Sequence, residues 1–157
     1  MATRNLSDEL KKKHPFKSVE QEAMLSIMRT SDLLENRAAR LLRNYQLTPS
    51  QYNVMRIMRG EGKPMPCLEV ADRMIQVAPA ITRVVDQLVA RGLISKTQSS
   101  EDRRVFLVQL TVAGKALLRK IDAPIDRLHQ TLLGHVSQRD LKSLIATLAD
   151  ARNGIQD

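Results

Sequence analysis

Chemistry in this chain concentrates between Glu69 and Thr111. Arg83 carries a planar fork of donors that can pair with guanine O6 and N7, a contact that discriminates against the wrong base by ~1–3 kcal/mol. Thr82 and Gln87 stand on the same segment with further hydrogen-bonding groups. Ile81, Val84, Val85, Leu88 and Gly92 fall on one side of a helix advancing about 100° per residue. Gln76, Pro79, Ala80, Arg83, Gln87 and Ala90 fall on the opposite side, with Asp86 at its edge. This outward face is narrow, small and mostly uncharged, as a helix must be to approach base edges in a groove. An ordinary solvent face carries more Lys and Glu. Ala78 and Ala80 offer only methyl groups, which suit contact with thymine methyls. Asp86 would repel phosphate unless paired, and Arg83 one turn before it or a wing arginine could supply the partner.

A second cluster follows. Arg103 and Arg104 come directly after Glu101 and Asp102, in a polar tip flanked by β-like runs at residues 93–97 and 105–110. An arginine on a protruding hairpin can enter a narrow, electronegative minor groove. Asp102 can hold a guanidinium in place through charge-assisted hydrogen bonds. Taken alone, such a tip is an ordinary solvated turn; beside a helix-turn-helix it reads as a basic wing.

Other chemistries find less support. His14, His129 and His135 are scattered, and none has a carboxylate or Cys at metal-ligand spacing. No phosphate-binding glycine loop or nucleophile elbow occurs. The sequence therefore predicts neither an enzyme nor a metal or cofactor site. Cys67, the single cysteine, excludes an internal disulfide framework. It stands at the start of a helix, where a thiol pKa tends to fall, yet the bland alternative is an inert, buried cysteine.

The elements that must position these groups are mostly helices. Ser18 with Gln21, and Thr48 with Pro49 and Gln51, have capping-box spacing. They start a long helix over 18–46 and a second helix that ends before the break at residues 60–64. A short third helix is expected over 66–75. The groove-facing fourth begins at Pro79 and stops at Gly92. Thr111 caps a long fifth helix, kinked at Pro124, and Ser137 caps a sixth. Residues 1–16 have few apolar positions and read as a loosely ordered arm, either covering a partner subunit or solvated.

Composition agrees with helices packed on aliphatic side chains, since aromatics are only 3% of the chain and Trp is absent. The net charge of +8 favours a polyanionic partner. No apolar run approaches the ~18 residues that span a bilayer, so no membrane association is expected. The polar first residues lack a signal-peptide centre, so a cytoplasmic location is expected.

Residues 69–74 (Glu-Val-Ala-Asp-Arg-Met), 81–88 (Ile-Thr-Arg-Val-Val-Asp-Gln-Leu), 91–94 (Arg-Gly-Leu-Ile), 102–104 (Asp-Arg-Arg) and 110–114 (Leu-Thr-Val-Ala-Gly) resemble the MarR family of winged-helix transcription regulators. The resemblance covers about residues 18–151. It implies a mainly α fold with a small β-hairpin wing: a winged helix-turn-helix lobe over 48–111 and a helical dimerisation lobe from 18–46 and 112–151. It further implies a homodimer on double-stranded DNA, binding a pseudo-palindromic operator, and a repressor responsive to a small-molecule effector. Thr82 and Arg83 match recognition-helix positions. Asp102 and Arg104 match the wing motif, with Arg104 in the minor groove and Arg103 on phosphate. Tyr45, Tyr52 and Met55 are candidates for an effector pocket, Met24, Met28, Met58, Met65 and Met74 being either its adaptable walls or simply core. Peroxide-sensing relatives place their cysteine in the first helix, unlike Cys67.

The chain departs from the pattern at Ile75, where many relatives have a turn glycine. It departs again at Val77, Ala78, Pro79 and Ala80, where relatives often carry Ser or Thr. The recognition helix should lack a capping side chain, and base readout should lean on Arg83, methyl contacts and DNA shape. Two rival readings share the basic charge or the fold: a non-specific architectural DNA binder, and a winged-helix module that binds protein instead of DNA.

Overall fold

Four helices begin on a hydroxyl that accepts an N–H from the first turn, and all four hydroxyls are those the sequence points to: Ser18, Thr48, Thr111 and Ser137. A computed structural model describes residues 5–76 and 80–155. The order is α1 (Leu6–Glu9), α2 (Val19–Arg43), α3 (Pro49–Glu61), β1 (Met65–Pro66), α4 (Cys67–Asp72), α5 (Ile81–Ala90), β2 (Ile94–Gln98), β3 (Phe106–Leu110), α6 (Val112–Leu133) and α7 (Gln138–Asn153). No helix among the described residues is long and apolar enough to cross a membrane.

The caps show how local sequence sets the boundaries. At α3 the box is closed: Thr48 Oγ1 accepts from Gln51 N at 3.2 Å, and Gln51 Oε1 accepts from Thr48 N at 3.0 Å. Pro49 occupies the first turn, where its missing N–H has no intrahelical partner to lose. At α2 only half of the expected box forms. Ser18 Oγ accepts from Gln21 N, but the Gln21 side chain turns to Lys17 N at 2.8 Å. Gly62 (φ 73°) and Gly92 (φ 68°) end α3 and α5 in the left-handed region that side chains with a Cβ avoid.

Four elements differ from expectation. The arm is not uniformly irregular, because Asn5 caps the one-turn helix α1. The third helix stops at Asp72 instead of residue 75. The fourth begins at Ile81 instead of Pro79, with Ala80 as an N-cap that offers no side-chain bond. The sheet has three antiparallel strands in the order β1-β3-β2, not two. β1 pairs Met65 with Val108 and Pro66 with Leu107. Two residues, one of them proline, are too few to show a strand period, so only the pairing reveals β1. The register of β2 on β3 runs from Ile94 opposite Leu110 to Gln98 opposite Phe106.

One core joins these pieces. Val54, Met55 and Met58 of α3 meet Val70 of α4 and Ile81, Val85 and Leu88 of α5. Ile94, Val108 and Leu110 of the sheet close one side, and Leu118, Ile121 and Ile125 of α6 close another. This packing fixes α5 by its apolar stripe and leaves the opposite stripe bare. α6 runs through Pro124, and its buried residues end at Ile125. α7 fully buries no residue, and Leu144 and Ile145 lie exposed on it.

Candidate nucleic-acid interface

α5 lies with Ile81, Val85 and Leu88 in the core, which turns Thr82, Arg83, Asp86, Gln87 and Ala90 outward. Together with Ala80 these residues line one shallow open groove. The structure thus brings Ala80, Thr82, Arg83 and Gln87 together on one surface. Ala78 lies outside the described residues, as do Val77 and Pro79.

Asp86 has neither of the partners expected for it. Its carboxylate accepts from Lys96 Nζ of β2 at 2.9 Å. Lys96 also lies 4.9 Å from the centroid of the Phe106 ring on β3. The strand lysine is nearer than a hairpin-tip arginine because β2 starts directly after α5 and returns along it. The pairing leaves Arg83 with no carboxylate partner among the described residues.

Gln76 is drawn elsewhere. Its side-chain amide donates to Glu35 of α2, joining the turn before the recognition helix to the long N-terminal helix. Ile75, where a glycine was the alternative, is 87% exposed, and its N–H donates to Asn53 Oδ1 at 3.0 Å. Asn53 thus satisfies the turn from α3. Neither Glu35 nor Asn53 could be picked out by spacing, because both bonds cross more than twenty residues.

At the wing tip, Asp102 Oδ1 accepts from Arg104 N at 2.9 Å and lies 3.6 Å from Arg104 Nε. The Arg104 side chain is 94% exposed. Ser99 Oγ accepts from Glu101 N at 3.2 Å, and Val105 N donates to Asp102 O. The tip is therefore a tied turn that holds Asp102 in place while Arg103 and Arg104 face solvent.

The aromatic and methionine groups divide. Met55 is fully buried in the core, with Tyr45 and Tyr52 packed half-buried against it. Arg56 Nη1 donates to the Tyr52 hydroxyl at 3.3 Å. Met58 and Met65 are also core, whereas Met24 and Met28 lie exposed on α2.

Cys67 is half-buried at the first position of α4, and burial pushes its thiol pKa up. Lys96 opposes the shift and Asp86 adds to it. A raised pKa means less thiolate and slower chemistry. Native protein at pH 8 should react with iodoacetamide several-fold more slowly than the same protein in denaturant. Equal rates, followed by intact mass, would contradict this assignment.

The surroundings of Gln87 escape any reading of the sequence alone. Gln51, only 8% exposed, donates from Nε2 to Gln87 Oε1 at 3.1 Å. Arg91 Nη1 donates to the backbone carbonyl of Gln46, a residue in the left-handed region at φ 56°. Sequence spacing reveals Gln51 as a cap but not as a neighbour of the groove face.

Comparison with known proteins agrees with this arrangement. Residues 47–106, from the start of α3 to the wing, match the model of the MarR family. The HTH-type transcriptional regulator YdgJ of Bacillus subtilis (strain 168) is 33% identical over 78 residues, a match that covers 50% of this chain and 48% of that protein. The chain thus spans about half the length of this curated relative. The crystal structure of a MarR transcription factor from Planctomyces limnophilus is 37% identical, with a TM-score of 0.67 over 86% of this chain and 98% of that one. BpsR of Bordetella bronchiseptica, whose DNA binding is regulated by 6-hydroxynicotinic acid, shares the fold at 20% identity, with a TM-score of 0.75 over 83% of this chain and 98% of its own. The three-helix core, the bare face of α5 and the tied basic hairpin are the parts of a winged helix-turn-helix, and with near-complete overlap on a relative of more than one-third identity they establish that this chain belongs to the MarR family of transcriptional regulators.

Proposed function

We propose that the protein is a homodimeric, sequence-specific DNA-binding repressor that reads a pseudo-palindromic operator and responds to a small-molecule effector. One observation carries the DNA reading. The outward stripe of α5 holds Arg83 and Gln87 uncovered, while the apolar stripe behind it is locked into the core. Thr82 and Arg83 contact base edges. Ala78 and Ala80 contact methyl groups, and Gln76 approaches the flank of the site from its bond to Glu35. Arg104 enters the minor groove, Arg103 meets phosphate, and Asp102 supports the wing. Among the described residues the outward stripe of α5 carries no large apolar residue, which argues against a protein-interaction module.

Dimerisation rests on α2, α6 and α7, the two segments 18–46 and 112–151. A 16-residue helix is marginal alone in water, yet α7 fully buries none of its side chains within its own chain, Leu141, Leu148 and Ala149 being only half-buried. Leu144 and Ile145 on α7, and Met24, Ile27 and Met28 on α2, are exposed apolar groups that a second copy would cover. The two recognition helices would then enter successive major grooves about 34 Å apart. Tyr45 and Tyr52, half-buried where the helical lobe meets Met55, are the proposed effector contacts. An effector acts by its difference in affinity for the two spacings.

Selection from random duplexes, with the mass of the complex measured by sedimentation, tests this reading. The expected outcome is a two-fold symmetric site bound by two chains. Affinity should fall with salt on a log–log slope of about −3 or steeper, since each phosphate neutralised contributes about −0.9. A monomer, or binding with no sequence preference over competitor DNA, would defeat it, and the second result would favour an architectural binder.

A further inference from the structure

A chain of three hydrogen-bonding groups leads from the backbone of α3 to the groove face of α5. Thr48 N, a backbone N–H, meets the Gln51 side chain at 3.0 Å. A backbone N–H can only donate, so the atom it meets must be the amide oxygen of Gln51. The Gln51 nitrogen is then the atom left facing Gln87, 3.1 Å away. It too can only donate, so Gln87 must turn its own oxygen inward. Gln51 is 8% exposed and packed against the core, which holds the relay in place. The polarity of the outermost group is therefore set by a peptide bond two side chains behind it.

The consequence concerns what Gln87 can read. A free glutamine makes a bidentate pair with adenine, accepting from N6 and donating to N7. Here the oxygen is turned inward to Gln51, so the group left toward the groove lined by Arg83, Asp86 and Ala90 is the NH₂. We infer that Gln87 is a specificity-determining residue locked as a donor by Gln51, selecting an acceptor edge (guanine O6 and N7, or thymine O4) over the cytosine N4 donor and denying adenine the bidentate pair, which leaves it a single bond at N7. This rests on the DNA-binding reading above and assigns one base position within it. Gln51 touches no DNA, so it is a positioning residue acting through Gln87.

The relay can be reversed without disturbing the cap. Glutamate is the other residue that closes a capping box, so Gln51→Glu keeps the bond to Thr48 N. At pH 8 its carboxylate has only acceptors, so Gln87 must turn its NH₂ inward and its oxygen out. Gln87→Glu gives the same outward acceptor directly, from a surface position that does not threaten folding. Selection from random duplexes with wild type, Gln51→Glu and Gln87→Glu should show one symmetric pair of positions changing from an acceptor base to a donor base in both variants. The preference ratio there should shift by about tenfold, with the position read by Arg83 unchanged.

The outcomes separate. A wild type that selects a symmetric site, with Gln87→Glu switching the base and Gln51→Glu leaving it alone, overturns the relay while the DNA reading stands. A uniform loss of affinity in both variants, with no change of base, places Gln87 on phosphate and also overturns it. A wild type that selects nothing removes the DNA reading itself, and the inference with it.

Discussion

Replacing Arg83 by alanine should cost this protein the symmetric site it is proposed to select, while leaving its fold and its weak affinity for unrelated DNA in place. The guanidinium has no carboxylate partner among the described residues, because Asp86 is taken by Lys96 at 2.9 Å. No internal ion pair is lost on substitution, and thermal stability should stay within ~0.5 kcal/mol, as for most surface changes. One bidentate pair contributes ~1–3 kcal/mol of discrimination. In the proposed dimer two subunits double this to about 2–6 kcal/mol, or roughly 30-fold to 10⁴-fold in affinity for the selected site. Titration of a labelled operator, followed by fluorescence anisotropy against competitor DNA, measures the difference directly. An Arg83→Ala dimer that binds the selected site as tightly as wild type would mean that some other group reads the bases. Lysine at this position should recover phosphate attraction but not the planar fork, so specificity should return only in part.

The second large effect concerns folding. Gly114, in the first turn of α6, sits where that helix crosses the chain between α5 and β2. A Cβ added there would lie 2.2 Å from the Leu93 carbonyl oxygen and 3.1 Å from Leu110 Cδ2. The first neighbour is backbone, and it is pinned: Leu93 O accepts from Thr111 N at 3.1 Å, while Thr111 Oγ1 donates to Gly92 O at 2.7 Å. Two opposing terms apply to Gly114→Ala. Alanine gains ~1 kcal/mol of helix propensity over glycine. Overpacking costs ~1–3 kcal/mol or more, and breaking the bond to Leu93 O adds ~1–3 kcal/mol. The clash wins, and the net loss is about 2–4 kcal/mol, a large share of a total of ~5–15 kcal/mol. The melting temperature should drop by about 5–15 °C, read by far-ultraviolet circular dichroism at fixed protein concentration. A variant that melts at or above the wild-type temperature would show that α6 can slide away from Leu93 at little cost.

Helix starts were legible because a cap is a local device. Thr48, Thr111 and Ser137 each announce a helix within three residues, and the donors they satisfy lie in the same turn. The buried stripe of α5 was legible for a similar reason: Ile81, Val85 and Leu88 recur at the helical period, so the opposite face follows from geometry alone. The half-formed box at Ser18 marks the limit of such reasoning. Gln21 has two N–H groups within reach, and only the conformation of the incoming chain decides that it takes Lys17.

Sequence by itself thus determined the helical periods, the caps, the polar hairpin tip and the family, all of which depend on neighbours a few residues apart. Tertiary structure alone decided which polar groups satisfy one another at a distance. It gave Asp86 to Lys96, Gln76 to Glu35, the turn at Ile75 to Asn53, and Gln87 to Gln51. The physical reason is that a donor or acceptor on a folded surface bonds to whatever packing brings within about 3 Å, and packing is set by the summed burial of many apolar side chains. No spacing rule encodes that sum, and the groups that face the groove are oriented by it.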